Sequence, residues 1–233
     1  MNLIDWKVES LRKTFIFHPT QALDVTDLWK KIFGTEPNDR TDKPLNRTTH
    51  ESGEWNGLNL QLTCQPGRID LLLSGSISEQ PLPDGGNFEI VSKDFGKLTL
   101  PAGVGAPVRV AFGAVCFIEK QNHDDCYVTL RELLPHVEIG ADSQEFFYRI
   151  NNRKKATFDA SRLNCISAWH AVRSQTLNIT SGAPIVTEAF AVRAELDLST
   201  AAEMNLPPEM ESIAVFEELQ AIANELFTKG PRP

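Results

Sequence analysis

Apolar and polar positions alternate along Leu58, Leu60, Leu62 and Cys64, and a second apolar run, Ile69 to Leu73, follows after Pro66-Gly67. A period of two on either side of a tight turn is the pattern of a half-buried antiparallel hairpin. Proline at the second turn position and glycine at the third suit a type II turn, which needs positive φ at the glycine. Upstream, Lys7 to Phe17 reads as a strand with its apolar end at Phe15–Phe17, stopped by His18-Pro19. Leu28 with Ile32 and Trp29 with Phe33 then form i, i+4 pairs, predicting a helix over 22–33 closed by Gly34.

Downstream the pattern breaks twice. Residues 35–56 are rich in Pro, Asn, Asp, Thr and Gly without apolar periodicity and read as a loop. Residues 76–107 also read as loop, with short strands around Phe88–Val91 and Lys97–Leu100. Val108 to Glu119 is a strand by its alternation, and Thr129-Leu130-Arg131-Glu132 is a capping box that starts a short helix ending at Pro135. Three more strands are predicted over 145–152, 164–174 and 185–196. A long helix over 209–228 follows, with Ile213, Phe216, Leu219, Ile222, Ala223, Leu226 and Phe227 on one stripe and Lys229-Gly230-Pro231 closing it.

Strands outnumber helices, and several strands are neighbours in sequence. This predicts an α+β fold with a largely antiparallel sheet and two or three helices. The strand–helix–hairpin order of residues 7–73 partly recurs as strand–helix–strand–strand in 108–174. The expectation is one α+β domain over 1–233, with 1–100 and 105–233 as candidate subdomains and two related halves.

Composition narrows the class. A chain of 233 residues with 41% hydrophobic and 23% charged residues has the make-up of a globular protein. The N-terminus Met1-Asn2-Leu3-Ile4-Asp5-Trp6-Lys7 has no basic segment followed by an apolar one, and no apolar run reaches the roughly 20 residues that span a bilayer. The expectation is a cytoplasmic protein without membrane association. Cys64, Cys116, Cys126 and Cys165 are widely spaced without a C-x-x-C pair, which points to buried thiols.

Charge is distributed unevenly. Eight acids and one base between Glu195 and Lys229 supply −7 of the formal −8. A general nucleic-acid binder needs a positive field, which this balance does not provide for the whole chain. The exception is local. Glu145 to Lys155 reads Glu-Phe-Phe-Tyr-Arg-Ile-Asn-Asn-Arg-Lys-Lys, and no acid occurs between Glu145 and Asp159. Tyr148, Arg149, Asn151, Arg153, Lys154 and Lys155 are therefore the candidate binding residues. Arginine supplies bidentate contacts and the aromatics a flat apolar face.

Catalytic motifs are weaker. Gly103-Val104-Gly105 is followed by Pro107 and a strand, whereas a phosphate loop needs a helix N-terminus. No nucleotide-binding, zinc-protease, hydrolase-elbow or EF-hand signature occurs, so no cofactor is expected. Asn122-His123-Asp124-Asp125-Cys126 contains metal-ligand side chains, but neighbours in an extended segment point apart. His136 with Glu138, and His170 beside Trp169, contain the residue types of an acid–base pair or of structural histidines.

Several landmarks together resemble a family of uncharacterised, sporadically distributed bacterial proteins: Gln65-Pro66-Gly67-Arg68-Ile69, Tyr148-Arg149-Ile150-Asn151-Asn152-Arg153, Leu196-Asp197-Leu198 and Phe227-Thr228. The resemblance covers scattered positions over 57–229, and the family has no established activity. It implies a bacterial α+β protein. Together the residues and the resemblance lead to the expectation of a non-catalytic interaction or regulatory component of a bacterial multiprotein system, with protein partners and a defence role by analogy. The alternatives are a metal-dependent hydrolase or nuclease using His123, Asp124 or Asp125, and a nucleic-acid-binding module using Arg149, Arg153, Lys154 and Lys155. Oligomeric state is left open.

Overall fold

A computed structural model describes residues 5–76, 81–140, 142–158, 162–180, 183–203, 205–207 and 210–232. The first strand, β1 (Lys7–Ile16), is followed by helix α1 (Leu28–Phe33) and a four-stranded meander, β2 (Asp39–Lys43), β3 (Thr48–Trp55), β4 (Leu58–Gln65) and β5 (Arg68–Ser74). Helix α2 (Phe88–Gly96), β6 (Arg109–Lys120) and α3 (His123–Leu133) come next. The chain ends with the meander β7 (Phe147–Lys155), β8 (Arg162–Thr180) and β9 (Ala183–Thr200), then α4 (Ser212–Lys229).

The nine strands form one sheet in the order β2-β3-β4-β5-β1-β6-β9-β8-β7, and each neighbouring pair is antiparallel. The α+β class with an antiparallel sheet is thus the observed architecture. The centre is the β1–β6 pair, with Leu11 opposite Ala114 and Phe15 opposite Val110. Outward from it, β5-β4-β3 flank β1 as β9-β8-β7 flank β6. Each half runs strand, helix, meander, helix, with four meander strands in the first half and three in the second, and the last meander strand returns to pair with the first strand of its half. Only β2, laid outside β3, has no counterpart in the second half.

In the strands inside β2, alternation sends one side to the helices. Leu11 and Phe15, Leu60 and Leu62, Leu71 and Leu73, Phe112 and Ala114, and Leu196 and Leu198 are all buried there. Helix α4 closes this layer with Val215, Phe216, Leu219, Ala223 and Phe227. Phe227 meets Phe88 at 4.5 Å and Trp6 at 4.9 Å between ring centroids, and the Trp6 indole donates to the Phe227 carbonyl at 2.8 Å. This core joins residues of both halves.

Several stretches differ from their sequence patterns: of the helix expected over 22–33 only Leu28–Phe33 is helical, and Lys97–Leu100 forms no strand. Residues 35–56 hold β2 and β3. The inward positions of β3 are Glu51 and Gly53, so the strand carries no apolar alternation; Gly53 lies beneath the Trp29 ring instead. Residues 88–96 are a helix, with the Asn87 side chain accepting from the amides of Glu89 and Ile90. The capping-box helix starts earlier than Thr129, at His123, because Asn122 accepts from the Asp125 amide and serves as its N-cap. The helix predicted from 209 begins at Ser212, and Glu209 lies outside the described residues.

Candidate binding surface

Among the described residues the other side of the sheet carries no helix. It presents Ser10, Arg12 and Thr14 from β1, Arg68, Asp70 and Leu72 from β5, and Gly113 and Val115 from β6. It continues with Arg193, Glu195 and Asp197 from β9, Ile166, Ala168 and His170 from β8, and Arg149 from β7; the strand registers place these on one side. One end is closed by the segment after β5, where Leu82 packs with Phe117, Ala189 and Ala191, and the Ser174 hydroxyl donates to the Pro81 carbonyl at 2.7 Å. The rest is open.

Its centre is a hollow of about 300 Å³ lined by Arg12, Leu72, Val115, Arg149, Ile166, Glu195 and Asp197, among others. Arg12 and Arg149 stand four strands apart, which on a flat sheet is roughly 19 Å. Their long side chains nonetheless line one hollow, on a face that the twist of a large sheet curves. Gly113 makes part of this room. A Cβ there would sit 3.4 Å from Arg12 Nε, so the missing side chain lets the guanidinium lie across the strand.

Charges on this face are ordered. Arg193 grips Glu9 in a bidentate pair at 2.7 and 2.9 Å and also bonds Glu195. These hydrogen bonds hold the Arg193 pKa above its ordinary value. Arg68 and Asp70 form a second bidentate pair at 2.6 and 2.8 Å, and Thr14 donates to Asp70. Arg12 approaches Asp197 at 3.6 Å, while its buried Nε has no acceptor among the described residues. His170 lies beside Arg193 with a buried Nδ1 lacking a partner; burial first, then the arginine charge, lowers its pKa. Arg149 differs from these arginines. It is exposed and makes no ion pair among the described residues.

The six residues singled out in the sequence divide between two faces. Arg149, Asn151, Arg153 and Lys155 are exposed on the helix-free side of β7. Arg153 is engaged with Glu203 at 2.7 Å and with the Asn164 carboxamide oxygen at 3.1 Å. Tyr148 and Lys154 point to the helix side. The Tyr148 hydroxyl lies 3.1 Å from His136 Nε2, and Lys154 bonds Glu225 of α4 at 3.0 Å. Part of the acidic C-terminal segment thus complements part of the basic strand inside the molecule. Asp159 lies outside the described residues.

The Arg12, Arg193, Glu195 and Asp197 positions were not singled out by the sequence. Their signal was present as the alternation of Arg193, Glu195 and Asp197 with Ala194, Leu196 and Leu198. Their partners Glu9 and Arg12 lie on another strand, and only the sheet order brings them together.

His123, Asp124 and Asp125 form the first turn of α3, where acids favour the helix dipole, and the His123 ring leans on Tyr127 at 4.6 Å. Among the described residues no three His, Cys, Asp or Glu side chains converge as a metal site. All four cysteines are free and buried, and burial raises each thiol pKa, that of Cys64 to about 12. Among the described residues no helix is long and apolar enough to cross a membrane. No protein-family model, curated protein or solved structure matches the chain.

Proposed function

We propose that the protein works by binding another protein on the helix-free face of its sheet, as the interaction component of a bacterial, cytoplasmic multiprotein system. The observation that carries this reading is the composition of the curved hollow. Part-exposed Leu72, Val115 and Ile166 lie beside Arg12, Arg149, Glu195 and Asp197. Apolar patches ringed by arginines and acids of both signs suit a protein surface of mixed character. Nucleic acid would need a continuous positive field, and the acids Glu9, Asp70, Glu195 and Asp197 interrupt it here.

Site-specific photo-cross-linking tests the reading. A photoreactive side chain is placed at Ile166, in the hollow, and in a second variant at Ile90, which is 67% exposed on α2 at the opposite face. The expected outcome is a discrete protein adduct from position 166 and none from position 90. Equal adducts from both positions, or nucleic acid as the species captured at 166, would overturn it.

A further inference from the structure

The repeated topology marks a vacancy. In the first half the outer meander strand β3 is covered by β2, a short strand whose five residues are all exposed. The equivalent outer strand of the second half is β7, and among the described residues no strand lies beyond it. Among the described residues the backbone of Phe147–Lys155 bonds only to β8. Among the described residues the outer side of this nine-residue strand therefore carries no backbone ladder at the position where the other half takes up a strand, and the segment after α4 hydrogen-bonds to β7 only through the Asn152 side chain, which donates to the Arg232 carbonyl.

The way β2 is held indicates what the vacancy takes. Besides the ladder, Arg40 of β2 pairs across to Glu51 of β3 at 3.1 Å, joining strand addition to a cross-strand ion pair. At β7 the charge on the receiving strand is reversed. Arg149 and Lys155 make no ion pair among the described residues and alternate on one face with Asn151 and Arg153. An incoming strand with acids at alternate positions would place carboxylates opposite these cations. Self-association of two β7 edges would instead set arginine and lysine against arginine and lysine, which is unfavourable.

We propose that β7 is a docking edge that takes up an extended acidic segment of a partner protein as an added antiparallel strand. This deepens the reading of the helix-free face as a protein-binding surface and rests on it. The backbone ladder supplies affinity, and Arg149 and Lys155 supply the choice of acidic over neutral or basic sequences, the division of labour general to strand addition. Arg149 belongs both to this edge and to the hollow, so a partner strand at β7 continues directly onto the curved face.

The test measures fluorescence anisotropy with a labelled synthetic peptide the length of β7 that alternates glutamate with valine and threonine. Its companions are the same peptide with lysine for glutamate, and two versions N-methylated on alternate residues in opposite phase. The acidic peptide should bind the wild-type protein, the lysine peptide should not, and Arg149→Glu with Lys155→Glu should weaken binding at least about tenfold while the melting curve is kept. Only one N-methyl phase should abolish binding, because only alternate amides of an added strand face the edge. Equal binding by both N-methylated peptides would reduce the contact to charge attraction and overturn the proposal, as would binding of the lysine peptide or failure of the acidic one. If the peptide fails while the Ile166 cross-link persists, the edge proposal falls alone; if the cross-link also fails, the reading of the face falls with it.

Discussion

At the scale of single residues, the most unusual group is Lys13, fully buried in the core. Its ammonium donates to the carbonyls of Gly96 at 2.9 Å and Leu98 at 2.8 Å, at the C-terminal end of α2, and lies 4.2 Å from the centre of the Phe216 ring. A cation is favoured at a helix C-terminus, but burial dominates and lowers the Lys13 pKa to about 7. Below that value the amine is protonated in both states and carries its full burial cost. From about pH 7 to about 10.5 the folded amine is neutral while the unfolded one still binds a proton. The unfolded state then binds more protons, so stability rises with pH across that window. Buried thiols act in the opposite sense above pH 9, because their folded pKa values are raised. Urea unfolding between about pH 7 and pH 9 should therefore show stability rising for wild type relative to Lys13→Met, whose curve lacks this slope; parallel curves would contradict the assignment. Gly53 gives a second residue-scale prediction. A Cβ there would stand 2.6 Å from Trp29 Cζ2, so Gly53→Ala must displace a buried ring. It should cost about 1–3 kcal/mol in denaturant unfolding. Neither role was legible in the sequence, where Lys13 reads as an ordinary strand lysine and Gly53 as a loop residue.

At the scale of elements, legibility followed the apolar pattern. The β4–β5 hairpin and α4 each bury one face in regular alternation or stripe, β6 buries its alternating apolar residues together with Ala111 and Gly113 between them, and the sequence shows all of these elements. The β3 strand was hidden because its inward positions are a glycine and a glutamate, and its burial is supplied by a tryptophan from α1. Helix α2 was hidden by the prolines and glycines around it, although Asn87 and the spacing of Phe88, Ser92 and Phe95 carry its cap and its buried face. The same pattern makes α4 the element most open to test. Leu219 is fully buried against the sheet, and Leu219→Ala should cost about 2–5 kcal/mol, seen as a large fall in melting temperature. An unchanged melting curve would mean that α4 does not pack as described.

At the scale of the whole molecule, the two halves meet along one central strand pair and share one core, while among the described residues the opposite side of the sheet is covered only at one end, by the segment after β5. The order of strands was the part of the fold least accessible from sequence. It depends on β5 and β9 returning across their halves to β1 and β6, contacts separated by many residues. The candidate site was legible only as a basic strand. Its apolar floor comes from β5, β6 and β8, and its acids from β1 and β9, which no local pattern connects. The proposed binding of a partner at this face and at the β7 edge is open to direct test. The most direct measurement uses one variant, Arg149→Glu with Arg153→Glu, assayed both for thermal unfolding and for the protein adduct formed at position 166. Both arginines are exposed, and exposed substitutions change stability by about 0.5 kcal/mol or less, with the added loss of the Arg153–Glu203 surface pair worth at most about 1 kcal/mol. The expected outcome is a folded variant with a nearly unchanged melting temperature that no longer forms the adduct. A folded variant that still forms it as wild type does would contradict the proposal.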